Sequence, residues 1–143
     1  AAIGRRELAL AQGLWQQIRG TEHIAVKGPW QRFYGDTDAF DEPSEVGDVP
    51  RMAPIVSLSI EGLSSAEVAR VLDKQFHIAV RAGLHCAPEA HRVAGTLEGG
   101  LVRLSVGHAT TEAEVDTAAH ALLEIAARPA GYWLTEWEGQ HAR

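Results

Sequence analysis

The stretch Ile55-Val56-Ser57-Leu58-Ser59-Ile60-Glu61-Gly62-Leu63-Ser64-Ser65-Ala66-Glu67 decides the fold. Val56, Leu58 and Ile60 alternate with Ser57 and Ser59, and a period of two puts the apolar set on one face of a strand. Gly62 turns the chain. Ser64, followed three residues later by Glu67, is a capping-box pattern, in which each side chain takes up a backbone N–H at a helix start. A helix is predicted from there to about residue 76, with Val68, Val71, Leu72 and Gln75 on its inner face. A half-buried strand, a turn and a capped helix in succession imply a sheet layer and a helix layer.

Downstream, Ile78 and Val80 against Ala79 and Arg81 read as a second strand. Residues 83–100 read as loop with one helical turn near 89–93. Residues 101–106 form a third strand with Val102, Leu104 and Val106 inward. Thr111 and Glu114 make a second capping box, and its helix runs to about 127, where Pro129 ends it. Upstream, Leu8, Ala11, Leu14, Trp15 and Ile18 mark a helix over 5–19 that closes at Gly20. A short strand follows at 23–27, stopped by Gly28-Pro29. The order predicts an α+β two-layer sandwich, a small and mainly antiparallel sheet with helices packed on one face. It divides into a lead-in helix and strand (1–29), an acidic surface loop (30–54), a core carrying a cysteine loop (55–128) and an aromatic tail (129–143).

The chain has 143 residues and a net charge of −6. That length suits one domain able to bury a core. A single cysteine excludes an intramolecular disulfide framework and any multi-cysteine metal site. No apolar run reaches the ~18 residues of a membrane span and no signal sequence opens the chain, so a cytoplasmic location is expected. Asp36, Asp38, Asp41, Glu42, Glu45 and Asp48 fall together with no base among them. Setting those six aside from the 19 acids leaves 13, the same as the number of bases. The acidity is therefore local, and nothing resembles the basic footprint that nucleic-acid binding needs. The cluster lacks the glycine and terminal glutamate of a calcium loop and reads as solvated.

If the apolar residues of each strand face the helices, Ser57, Ser59, Arg81 and Arg103 project from the other side. Two arginines on one face can cradle a carboxylate or phosphate through their planar forks. The same residues also suit the wet side of a half-exposed sheet. Between the arginines lies Arg81-Ala82-Gly83-Leu84-His85-Cys86-Ala87-Pro88-Glu89-Ala90-His91. Positive charge and imidazoles near Cys86 can favour the reactive thiolate. A lone cysteine is also a small hydrophobe, and His85, Cys86 and His91 match no standard metal spacing.

The run Arg81 to Pro88, then His91, Gly95-Thr96, Gly100-Leu101-Val102-Arg103-Leu104-Ser105 and Thr111-Glu112-Ala113-Glu114-Val115-Asp116, strongly resembles the C-terminal part of cysteine desulfurases. These are pyridoxal-phosphate enzymes of the class V aminotransferase family. The strand at 56–62 and its helix fit too, and the resemblance is dense from 54 to 126. It implies the small domain of a fold-type I pyridoxal-phosphate enzyme. It implies that Cys86 takes sulfur from L-cysteine as a persulfide, leaving alanine, and that Arg103 holds the substrate carboxylate, with Arg81 and His85 lining the pocket. The polar sheet face would look toward the cofactor cleft.

The family's cofactor lysine, ring-stacking histidine and pyridine-pairing aspartate belong to its large domain. Only Lys27 and Lys74 occur here, and neither has the cofactor-lysine context, so no cofactor-binding residue is assigned to this chain. The absent initiator methionine suggests a truncated, excised or split piece, inactive alone. Its expected partner is a pyridoxal-phosphate-binding large domain or partner chain, or a second copy meeting it through the open sheet face, with residues such as Leu101, Trp133 and Trp137 covering that face in a dimer or the tail folding back over it. A free-standing binding or assembly module, and the small domain of another class V aminotransferase or lyase, are the other readings.

Overall fold

The computed structural model describes residues 2–28, 30 and 52–133. Strand β2, Ile55–Ile60, alternates as the sequence requires: Val56, Leu58 and Ile60 are buried and Ile55, Ser57 and Ser59 half-buried. Along it lie β1, Ile24–Lys27, and β4, Leu101–Ser105, with β3, Arg81–Gly83, outermost. The sheet order is β1-β2-β4-β3, and every pairing is antiparallel. No described helix is long and apolar enough to cross a membrane.

Helices α1 (Ala2–Ile18), α2 (Ser65–Phe76) and α4 (Glu112–Ala126) cover the apolar face. Both predicted capping boxes are formed. Ser64 accepts from the Glu67 amide while Glu67 accepts from the Ser64 amide, and Thr111 and Glu114 repeat the arrangement. Leu14, Ile18, Val56, Leu58, Val68, Leu72, Val102, Leu122 and Ile125 form the heart of the core. Each such aliphatic group contributes about 1.5–3 kcal/mol when fully buried. α1 is fixed to α4 and its approach by Gln17 donating to Asp116 at 2.9 Å and Arg6 donating to the carbonyls of His108 and Thr110.

Several details differ from the sequence reading. The strand expected at 78–81 begins only at Arg81. His77 caps α2 in the left-handed conformation (φ 56°), and both its amide and that of Ile78 donate to the Leu72 carbonyl. Residues 77–80 therefore carry the helix exit. The inner face of α2 ends with half-buried Phe76, packed on the core, whereas Gln75 is exposed. The turn near 89–93 is a seven-residue helix, α3, Pro88–Ala94.

Trp30, assigned to the surface loop, is 2% exposed. Its ring stacks on Trp15 at 6.2 Å, and its Nε1–H donates to the Ile55 carbonyl. The remaining loop residues up to Arg51, with the acidic cluster, lie outside the described residues. Trp133 does not cover the open sheet face. It is buried on the helix side, donating to the Ile125 carbonyl and meeting Phe76 at 6.4 Å. Leu101 is likewise already buried within the chain, and Trp137 lies outside the described residues.

Candidate functional site around Cys86

In an antiparallel ladder, directly opposed residues share a face. Lys27 pairs with Ser57, Ser57 with Arg103 and Arg103 with Arg81. These four form one row across the whole sheet, on the face away from buried Leu58 and Val102 and half-buried Val26. The sequence placed Ser57, Ser59, Arg81 and Arg103 there correctly and missed Lys27. The signal was present, because Ile24 and Val26 alternate with Ala25 and Lys27. Opposed arginines repel, at a cost of several tenths of a kcal/mol in a sheet pair. Among the described residues no carboxylate pairs with Lys27, Arg81 or Arg103.

Where β3 ends, the chain turns through two consecutive non-glycine residues in the left-handed region, His85 (φ 52°) and Cys86 (φ 60°). Such backbone costs on the order of 1–3 kcal/mol per residue and persists only where neighbours impose it. Two contacts and a helix start do so here. Ala87 donates its amide to the Leu84 carbonyl at 2.9 Å. The His85 ring meets the Leu101 carbonyl at 3.0 Å through Nε2, which must carry the proton because a carbonyl only accepts. Pro88 then starts α3, its missing N–H costing nothing at a first turn.

The turn holds Cys86 exposed, with its sulfur 3.9 Å from Arg81 Nη2. Positive charge therefore stands beside any anion carried on Sγ. Burial pushes the His85 imidazole below its ordinary value, and the charges of Arg103, Arg81 and His91 act the same way; the Leu101 carbonyl opposes them. The ring is neutral near pH 7, with Nδ1 as a free lone pair. That atom and Arg103 Nε are both buried and without a partner.

His91 is brought near His85, ring to ring at 5.8 Å, but serves the scaffold. It is 5% exposed, and its Nδ1 bonds the Thr96 hydroxyl at 2.9 Å. Among the described residues no three His, Cys, Asp or Glu side chains gather as a metal site. The loop's base is set by Gly100 (φ +63°), where an added Cβ would meet Ser65 Oγ at 2.8 Å and Gly83 Cα at 2.9 Å. Only glycine permits this approach between the strand feeding the cysteine loop and the chain entering β4.

A pyridoxal-phosphate site needs a lysine for the Schiff base and a partner for the ring nitrogen. Lys74 stands exposed on α2, 3.3 Å from Asp73. Lys27 ends edge strand β1 with no described carboxylate paired to it. The described residues do not supply that set.

The class-V aminotransferase family model matches residues 31–118. Over 81 residues the chain is 36% identical to a probable cysteine desulfurase of Methanothermobacter thermautotrophicus. That match covers 56% of this chain and 20% of the relative, so the chain spans about one fifth of that protein's length. The cysteine desulfurase CsdA of Escherichia coli, crystallised in an S-sulfonic acid form, superposes with a TM-score of 0.62 at 16% identity. The match covers 84% of this chain and 24% of that one, and it shows a shared fold. The α+β sandwich and the cysteine-loop motifs thus have one explanation: the chain belongs to the class-V aminotransferase family.

Proposed function

We propose that this chain is the small domain of a cysteine desulfurase, supplying the sulfur-accepting cysteine and the carboxylate-binding arginine to a site completed by a large domain. The observation that carries the reading is the placement of Cys86. It is exposed on a strained loop, with Arg81 at its sulfur and Arg103 in the adjoining row.

In this reading, Arg103 grips the carboxylate of L-cysteine with its guanidinium fork, and Arg81 supports it from the opposed position. His85 stays neutral and holds the loop to β4. The Cys86 thiolate attacks the substrate sulfur, forming an S–S bond as the substrate C–S bond breaks. The electron pair of the broken bond goes to the amino-acid fragment, which gains a proton and leaves as alanine. Accepting that pair is the office of pyridoxal phosphate in the complete family enzyme. The residues described here do not provide its site, so that half of the reaction belongs to the large domain, and the chain alone is inactive.

Two measurements test this. The chain with L-cysteine and pyridoxal phosphate should release no alanine. Offered a low-molecular-weight persulfide, it should gain one sulfur by intact mass, lost in Cys86→Ser. A wild-type chain that gains no sulfur, with Cys86 resisting alkylation in the folded state, would instead support an inert assembly module.

A further inference from the structure

We infer that the open sheet face binds a small ligand with two anionic groups, one held between Arg81 and Arg103 and the other between Ser57 and Lys27. The inference rests on the sulfur-relay reading in one respect, that the ligand's sulfur end lies toward Cys86.

The row runs Lys27, Ser57, Arg103, Arg81, with Cys86 beyond its arginine end. Three of its four side chains are cationic, and among the described residues none forms an ion pair. Arg103 Nε is buried with no acceptor. The like-charged opposed pair is a cost that an oxyanion on this face removes. One carboxylate at the arginine pair accounts for half of the row. Lys27 remains, two strands from Arg103, and Ser57 stands between them as a neutral hydroxyl donor.

At about 4.8 Å per strand, Lys27 and Arg103 are roughly 10 Å apart at the backbone, and side chains of this length converge on anions on the order of 5–10 Å apart. An amino acid with a single carboxylate leaves the Lys27 end unfilled. The face therefore fits a ligand extended past its first carboxylate by a short chain ending in a second oxyanion.

The test is a calorimetric titration of the full chain at fixed ionic strength with acetate, succinate, glutarate, adipate and pimelate. The best-fitting dicarboxylate should bind at least about tenfold more tightly than acetate. Lys27→Ala should bring it back to the acetate level, and Lys27→Arg should keep the advantage, which guards against a folding defect. Equal binding of acetate and every dicarboxylate, or an advantage that survives Lys27→Ala, overturns the inference. Sulfur loading of Cys86 is read without any carboxylate present. A chain that loads sulfur but shows no dicarboxylate preference overturns this inference alone. One that prefers dicarboxylates but does not load overturns the sulfur reading alone.

Discussion

Gly100→Ala isolates the close approach that anchors the cysteine loop. Two costs combine. Alanine in the left-handed region costs about 1–2 kcal/mol, and Gly100 has φ +63°. The new Cβ would also stand 2.8 Å from Ser65 Oγ, 2.9 Å from Gly83 Cα and 3.0 Å from Gly83 C. Ser65 can rotate, but the Gly83 backbone must shift, and forced overpacking of this kind costs about 1–3 kcal/mol. The expected destabilisation is about 2–5 kcal/mol.

Gly95→Ala is the control. Its φ of +68° is nearly the same, but open space surrounds the added Cβ, so only the first cost of about 1–2 kcal/mol applies. Urea unfolding followed by tryptophan fluorescence reads both. With a slope of about 1–3 kcal/mol per molar, the extra cost of about 1–3 kcal/mol separates the two midpoints by roughly 0.3–3 M. Gly100→Ala should also change the alkylation rate of Cys86, because Gly83 leads into its loop. Equal destabilisation by the two substitutions, with unchanged Cys86 reactivity, would refute the argument that close contact anchors the loop.

The two capping boxes should each contribute about 1 kcal/mol, so Ser64→Ala and Thr111→Ala should each lower the urea midpoint accordingly. Their bonds hold the Glu67 and Glu114 carboxyls below the ordinary range. The stability is therefore present above the unfolded carboxyl value and lost as pH falls through the lower folded value, so wild type and cap mutants should converge in acid. His77→Gly relieves left-handed backbone at the end of α2 and should raise stability by about 0.5–1 kcal/mol in the same melt. His23 is raised by its bond to Glu61, with the Glu22 charge adding to it. The contribution of this pair is present below pH ~6.5 and fades as pH rises through the elevated value. NMR titration of the ring should show the rise in wild type and its loss in Glu61→Gln.

Local chemistry explains which elements were legible in the sequence. The strand at 55–60 and both capped helices carry period and cap signals within a few residues, and they form as read. Alternation alone put Arg81 and Arg103 on one face, and the glycine and proline marked the loop that carries Cys86, but the direct opposition of the arginines and the exposure of the thiol came only with the structure. What escaped depends on contacts distant in sequence. Trp30 is core because Trp15 and the Ile55 carbonyl receive it. Trp133 turns to the helix side because the Ile125 carbonyl is there. The strand at 78–81 gave way because the Leu72 carbonyl claims the amides of His77 and Ile78. Lys27 joined the site only when the β1–β2 register was fixed. His85, read as a pocket residue, is also a fastener through Leu101, which no local pattern encodes.

The shortness of the two outer strands has a further consequence at the margins of the sheet. Sheet margins with unused backbone groups invite other chains to add a strand. β3 is three residues long and begins with an exposed arginine. The opposite margin, β1, is four residues long and ends in Lys27. Brevity and charge at both margins leave little template for strand addition. Cys86→Ser should therefore express as a non-aggregating chain.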